Sequence, residues 1–428
     1  MKESPYPLEQ SLGLQYYSTN NTGIGGTMRQ CPQDFKVDEI PIEFSSEGPY
    51  LIVKLQKTSW EHQHAIREIS KRLSISSKRI GWAGTKDRNS VSTQYISLYH
   101  ITEQKLSKVS IKDINLEYIT NHQFALKLGD LIGNKFEIYI RNCSEKENKL
   151  EDQTSKITDD IRNFGIPNYY GIQRFGSLKP ITHLVGKFIL LKDYESAVNL
   201  YIGEAFPYES DTIKRIRTDF VQSGNTKQAL YDLPTYLSYE RIMLDVLSRY
   251  PDNYGLALQT LPPKLLSMFV AAYQSWLFNM ALSSRFRSGI SLNDIVEGDN
   301  LLFLNGRADH VTTKNIPTAL QHMKRGRCDV GAWIPGSTSI ASSQLGQLEQ
   351  TMNSLMDSDN ISTQSFKDAS EFVKTKFEGT YRKIRLNVDI SYKIINNNDV
   401  FLSFTLPPGH YATTVCREYM QEKPELMV

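Results

Sequence analysis

Apolar and polar side chains alternate with two different periods along this chain. Near the start, DFKVDEIPIEF and PYLIVKLQK (residues 34–44 and 49–57) carry β-branched and aromatic residues on either side of a turn-forming EGP, and they predict strands. SWEHQHAIREISKRLSI (59–75) shifts to the helical period. Ala65, Ile66, Ile69 and Leu73 share one face there, Ser59 is the expected N-cap and Glu61 falls in the first turn. RIGWAG (79–84) predicts a short strand ending in a turn, and VSTQYISLY (91–99) alternates as another strand. FALKLGDLIGNKFEIYIRN (124–142) predicts two strands around a polar, Gly-containing connection, in which GNKF could serve as a hairpin turn with Asn134 left-handed.

SEKENKLEDQTSKITDDIRNFG (144–165) begins as a charged linker and becomes a helix stopped by Gly165 and Pro167. A mainly helical stretch follows from about 175 to 378, and KLLSMFVAAYQSWLFNMALSSRF (264–286) is apolar around most of its circumference, as a buried helix is. The pattern then returns to β. In RKIRLNVDISYKI (382–394), Ile384, Leu386, Val388, Ile390 and Tyr392 alternate with polar partners; INNND supplies a turn and VFLSFTL an antiparallel return. Residues 1–33, punctuated by Gly, Asn and Pro, read as an extended arm. Strands at both ends with helices between predict an α+β fold: a sheet domain in two parts, 1–170 and 379–428, interrupted by a helical insertion at 171–378.

The 428 residues allow two domains, and 40% hydrophobic with 22% charged residues is the balance of a soluble globular protein. A net charge of +2 neither demands nor excludes a polyanionic partner, because a basic stripe can be offset by acids elsewhere. Four scattered cysteines (Cys31, Cys143, Cys328, Cys416) lack metal-ligand spacing and do not suggest a disulfide framework. No signal-peptide pattern and no 18-residue apolar stretch is expected, so a cytoplasmic protein without a membrane role is the default. GTKD and GIGG lack phosphate-loop spacing, and no GxSxG elbow occurs, which disfavours nucleotide-dependent and serine-hydrolase chemistry. His62 and His64 point to different sides of a helix and cannot chelate one metal, leaving surface or packing roles.

GWAGTKDRNSVSTQ (81–94) sets Asp87 between Lys86 and Arg88 on the turn between two strands. A salt-bridge knot is one reading of it. An anchored catalytic carboxylate is the other, since an ionised carboxylate needs no separate base to act as a nucleophile. PNYYGIQRFG (167–176, with Arg174) and FTLPPGHYATTVCREYM (404–420, with Tyr411 and Arg417) interleave aromatics, arginine and glycine. Such stretches suit single-stranded or flipped bases, or else the junction between two domains; QSWLFN (274–279) fits a structural role better.

Taken in order, these segments resemble the TruD family of tRNA pseudouridine synthases. GTKDR followed by V-x-T-Q resembles its catalytic-Asp motif, and PQDFKVDE, GNKF, PNYYGIQRFG, SWLFN and LPPGHYATTVCRE resemble its other signatures, from about residue 24 to 420. The resemblance implies a catalytic domain of mixed, largely antiparallel sheet broken by a TruD-specific insertion. It further implies Asp87 as the nucleophile and no cofactor. Arg29 falls where the family usually has Lys pairing with that Asp, Asn134 and Phe136 match the GN-x-F active-site residues, and Tyr411 stands where Phe typically meets the uracil. Lys86, Arg88, Arg174 and Arg417 are the cations expected to hold phosphates or the active-site frame.

The implied chemistry is isomerisation of a uridine that has left its stack. The N1–C1′ bond breaks, the uracil turns in the pocket and C5 bonds to C1′ with loss of its proton; an ester at C1′ and a glycal are both compatible with Asp87. Uridine 13 of tRNA is the expected substrate, with other tRNA positions or other structured RNAs as the alternative, and a non-catalytic RNA-binding protein as the rival class. The resemblance also implies a monomer without an obligate protein partner, and RNA binding that weakens with salt in a cleft closed by the insertion.

Overall fold

The structure is a computed structural model describing residues 1–145 and 147–427, and the chain forms two compact units. One comprises Met1–Tyr17 with Pro167–Leu386, the other Ser18–Ile166 with Asn387–Val428. The interrupted order is the one the alternating periods suggest, but the limits differ from 1–170, 171–378 and 379–428. The N-terminal residues are not a loose arm of the sheet unit. Pro7–Ser11 is a short helix, Lys2–Glu3 pairs with Tyr16–Tyr17, and the segment belongs to the helical unit. Hydrogen bonding explains the attachment, because Asn279 Nδ2 donates to the Leu12 carbonyl (3.1 Å) and Ser283 Oγ to that of Gly13 (2.6 Å).

The sheet unit is built on nine strands. In chain order they are β1 (Thr27–Met28), β2 (Phe35–Pro41), β3 (Tyr50–Thr58), β4 (Ile80–Trp82), β5 (Val91–Tyr99), β6 (Ile114–His122), β7 (Leu131–Arg141), β8 (Ile390–Ile395) and β9 (Asp399–Leu406). They lie in the order β8-β9-β7-β2-β5-β3-β6, with β1 added to β7 and β4 to β5. Only the β2–β5 pairing is parallel, so the sheet is mixed and largely antiparallel. Besides a single helical turn at Glu103–Leu106, the helices described in this unit are α1 (His62–Arg72), α2 (Glu147–Phe164) and α3 (Ala412–Met420).

Register shows which side chains share a face. Val53 pairs with Ile96 and Leu55 with Gln94; Val37 pairs with Ser92 and Phe136, and Glu39 with Asn134. Because neighbouring partners point the same way, Leu51, Val53, Leu55, Lys57, Gln94, Val37, Glu39, Asn134 and Phe136 all project from one side. Towards β3, α1 covers that side, with Ile66, Ile69 and Leu73 packed among Leu51, Val53, Leu55, Ile96 and Leu98. Each such side chain contributes about 1.5–3 kcal/mol on burial. Towards β8, α2 packs against the strand and α3 against α2, where Thr158 Oγ1 meets Tyr419 Oη at 2.8 Å. Arg141 joins Asp34 and Asp399, tying the ends of β2, β7 and β9 together.

Several local expectations are corrected. FALKL is not a strand; β6, earlier in the chain, takes that place, and residues 124–130 run as a connection tied by Leu126 N to Ser97 Oγ and Gly129 N to the Ala83 carbonyl. GNKF is no hairpin turn, because Asn134 and Phe136 lie inside β7, paired with β2 and β9. The cap of α1 is Glu61, whose carboxylate accepts from Gln63 N and His64 N, whereas Ser59 sits upstream with φ 61°. The alternation over 382–394 is not one strand. Thr380–Lys383 pairs within the helical unit and Ile390–Ile395 within the sheet unit, so a single period of two spans the passage between them. The INNND turn is present, with Asn396 and Asn397 both at positive φ, as a tight hairpin requires.

The helical unit surrounds Pro263–Arg287, and it also contains a four-stranded antiparallel sheet formed by Ala308–His310, Asn300–Phe303, Cys328–Ile334 and Thr380–Lys383. Contrary to the expectation of no 18-residue apolar stretch, Pro263–Arg287 is long and apolar enough to cross a membrane, but two-thirds of that window is buried inside the fold. Its buried polar residues are bonded within the unit. Asn279 Oδ1 accepts from Tyr170 N (2.8 Å) while its Nδ2 donates to the Tyr170 carbonyl (3.0 Å), and Arg285 pairs with Asp299. Asn279→Ala strips three backbone groups of their partner. It is expected to lower stability by about 2–5 kcal/mol, measured as a shift of the urea unfolding curve.

Candidate active site

The turn at 83–90 leaves β4 and enters β5 without regular secondary structure, so its carbonyls need partners from elsewhere. Side chains of the covered sheet face supply them. Lys57 Nζ donates to the carbonyls of Asp87 (2.9 Å), Lys86 (3.4 Å) and Trp60 (2.8 Å). Ser90 Oγ also donates to the Asp87 carbonyl (2.8 Å), and Gln94 Nε2 reaches that of Gly84 (3.4 Å). Gly81 has to be glycine, because a Cβ there would lie 2.5 Å from the Leu126 carbonyl oxygen.

This anchoring leaves the Asp87 side chain 53% exposed while its cation is buried: Arg29 Nη2 lies 2.7 Å from Asp87 Oδ2 and the Arg29 side chain is 7% exposed. Arg29 follows β1 with φ 60°, a left-handed backbone that costs a non-glycine residue about 1–2 kcal/mol. Its guanidinium lies 4.0 Å above the Phe35 ring, which meets Phe136 edge-on, and Phe136 in turn stacks on Phe404. Asn89 Nδ2 holds the Arg29 carbonyl at 3.2 Å.

Lys86 points inward. Its Nζ lies 2.6 Å from Glu39 Oε2, both side chains are almost fully buried, and Glu39 Oε1 accepts from Tyr95 N. One side of Asp87 in sequence is thus tied down, while Arg88 on the other side is exposed. Beneath the turn, His62 Nδ1 lies 3.2 Å from Gln94 Oε1, and burial, reinforced by the Lys57 charge, pushes His62 down to about 4. The imidazole is therefore neutral at pH 7 and donates from Nδ1 to the amide oxygen. His62 is a packing residue edge-on to Trp82, and His64 rests against Trp60. Burial likewise lowers Lys57, to about 8, against the opposing pull of Asp87 and Glu61.

Asp87, Arg29, Lys86, Arg88, Asn134, Phe136, Tyr411 and Arg417 all belong to the sheet unit. Asn134 faces the same side as its partner Glu39, with Oδ1 buried and unpaired, as is Arg29 Nε. Tyr411, half-buried, precedes α3 after Gly409 at φ 78°. Lys86 and Arg417, expected to hold phosphates or the active-site frame, both have buried side chains: the first is locked to Glu39, and the second lies in α3 with Glu418 at 3.6 Å. Arg174 belongs to the helical unit, where its Nε donates to Ser275 Oγ (3.1 Å). There PNYYG and SWLFN hold each other, with Tyr170 edge-on to Phe278 and Arg382 over the Tyr170 ring at 3.9 Å. Those two motifs act structurally within one unit.

Sequence reasoning missed Lys57, Glu39 and Gln94. The signal was available: Lys57 is in phase with Leu51, Val53 and Leu55, and Glu39 with Phe35 and Val37, so both charges fall on the apolar side of their strands. Among the described residues, no group of three His, Cys, Asp or Glu side chains is placed to hold a metal ion.

Comparison with known proteins decides the family. Residues 11–419 match the family described as tRNA pseudouridine synthase D (TruD). The chain belongs to the TruD family of pseudouridine synthases, which are isomerases. A probable tRNA pseudouridine synthase D of Methanosarcina barkeri is 37% identical over 433 residues, covering 97% of this chain and 98% of that one. The corresponding protein of Archaeoglobus fulgidus is 34% identical, with 97% and 99% covered. A crystal structure of the putative TruD from Methanosarcina mazei superimposes with a TM-score of 0.81 at 36% identity, covering 99% of this chain and 100% of that chain. The α+β TruD architecture expected from the motifs is thus the one observed.

Lys86→Met would leave the Glu39 carboxylate buried beside no cation, which costs about 3–5 kcal/mol, whereas removing both charges costs far less. Thermal unfolding is expected to show Lys86→Met well below the wild type, and the double variant Lys86→Met with Glu39→Gln recovering most of the loss.

Proposed function

We propose that this TruD-family protein converts uridine 13 of tRNA to pseudouridine in the cytoplasm, with Asp87 acting at the ribose and no cofactor. The observation that carries this reading is the contrast at Asp87: an exposed carboxylate on a backbone held from below by Lys57 and gripped from the side by a buried, strained Arg29. A salt bridge serving stability alone gains little at such exposure. A carboxylate that must meet a substrate in one orientation gains from fixed geometry.

The target nucleotide leaves its stack, since C1′ and the base edge are otherwise shielded. Asp87, gripped by Arg29 at 2.7 Å, acts at the ribose as the N1–C1′ bond breaks and its electron pair leaves with the uracil. Asn134 Oδ1, a buried acceptor without a partner in the fold, suits the imide N3–H of uracil. Tyr411 supplies an aromatic face for the base. Phe136, buried between Phe35 and Phe404, shapes the floor beneath it. The base turns, C5 forms the new bond to C1′, and the C5 proton departs. Exposed Arg88 and the partly exposed Arg174 are the cations of the expected set left to meet phosphates.

The test is tritium release from tRNA transcripts labelled at uridine C5, with the modified position mapped. The wild type is expected to release tritium at position 13 alone. Asp87→Asn is expected to lose about a thousandfold or more of that rate while binding the transcript as the wild type does. Equal release by both proteins removes Asp87 from its role, and release mapped elsewhere moves the substrate assignment.

A further inference from the structure

Lys57 is fully buried, on β3, in phase with the aliphatic side chains that pack against α1. Three carbonyl oxygens converge on its Nζ, from Trp60, Lys86 and Asp87, at 2.8, 3.4 and 2.9 Å. An ammonium has three N–H donors, one for each oxygen. A neutral amine has two donors and a lone pair, and the lone pair would face a carbonyl. The arrangement therefore fits the charged form and no other, although burying a cation is costly. A link serving packing alone would not need that charge.

We propose that Lys57 is a positioning residue for Asp87: its ammonium ties the carbonyls of Lys86 and Asp87 to that of Trp60 and thereby fixes the direction in which the carboxylate points. The proposal rests on the reading of Asp87 as the reacting group. Lys57 acts through the backbone and does not touch the substrate.

The groups facing Lys57 set its titration. Asp87 and Lys86 reach it from the turn, Glu61 and His62 from the start of α1, and Glu39 on β2 acts through Lys86. Burial dominates and brings Lys57 down to about 8, Asp87 and Glu61 oppose this, and Lys86 adds to it; His62, at about 4, stays neutral throughout. The clamp is then intact below pH 8 and released above it. Stability moves the other way. The folded lysine loses its proton near 8 and the unfolded one near 10.5, so between those values the unfolded chain binds more protons and folding stability rises with pH. A positioning role predicts falling activity over a window in which this group makes the fold more stable.

Single-turnover tritium release and transcript binding are measured from pH 6 to 10 for the wild type and Lys57→Met, with amide exchange of the 83–90 segment followed in both at pH 7. The wild-type rate is expected to fall about tenfold per pH unit above 8 while Kd and thermal stability do not follow it. Lys57→Met is expected to lose about a hundredfold in rate at pH 7, to bind within twofold of the wild type, to lack the limb near 8 and to exchange faster in the turn. Wild-type rate and turn protection in Lys57→Met overturn the proposal, as does a limb near 8 that survives in it. If Lys57→Met does not fold, the wild-type profiles decide: a limb that tracks unfolding, or no limb, overturns it. If the wild type forms no pseudouridine in any transcript, the reading of the reaction falls, and exchange in the turn still decides whether Lys57 holds it.

Discussion

An irregular turn that carries a reactive group has no ladder of its own to keep it still, and its backbone polar groups still demand partners. Here the sheet supplies those partners through side chains. Lys57 and Gln94 occupy carbonyls of the 83–90 turn, Ser90 at the end of the turn itself adds a bond to that of Asp87, and Glu39 takes the ammonium of Lys86. The rest of the sheet unit can be derived from that requirement. For a lysine and a glutamate to sit beneath the turn they must be on the covered face, and that face must leave a gap in its cover. Helix α1 closes the face towards β3, while α2 and α3 lie towards β8. The parallel pairing of β2 with β5 sets Glu39 beside the strand that leaves the turn, where its Oε1 accepts from Tyr95 N.

The charges around Asp87 are sorted by depth. Arg29 and Lys86 are buried, Asp87 is half in solvent and Arg88 is exposed. Burial makes the inner charges expensive, and each is offset by a specific partner: Lys86 by the Glu39 carboxylate, Lys57 by carbonyl dipoles, Arg29 by Asp87 and the Phe35 ring. Asp87 is the member of this set whose partner competes with water. On the proposed reading, a substrate that displaces that water strengthens the Arg29–Asp87 interaction as the local dielectric falls, so binding and orientation of the carboxylate reinforce one another.

Much of this was legible in the sequence, and the parts that were not share a physical cause. The strands, α1, the buried helix at 263–287 and the Asp87 turn follow from periodicity, because side-chain facing is a local property. The partners of those elements are not. Alternation over 382–394 reads as one strand because facing persists while the pairing partner changes from one unit to the other. FALKL has the composition of a strand, yet the ladder position next to β3 was taken by residues 114–122. Residues 1–17 look like an arm because the buried Asn279 and Ser283 that hold them lie more than 260 positions away. Lys57 and Glu39 could have been found, since a charge in phase with an apolar stripe is a local signal. What to do with that charge was the nonlocal part.

The motifs that led to the family divide along the same line. GTKDR, PQDF and GNKF belong to the sheet unit, where the Asp87 carboxylate, the Arg29 guanidinium and the Phe35–Phe136 ring pair are joined by direct contacts. PNYYGIQRFG and SWLFN answer to the folding of the helical unit, where Asn279 satisfies the backbone of Tyr170 and aromatic rings close around Arg382. The two departures from the usual family residues, Arg29 and Tyr411, both lie in the sheet unit. Arg29 in place of Lys keeps the cation but adds a planar face, and here that face lies on Phe35. The stacking holds the plane of the guanidinium, which a flexible ammonium does not offer. An arginine at this position therefore carries its own support, and the aromatic ladder from Phe35 through Phe136 to Phe404 connects that support to the floor on which the base would lie.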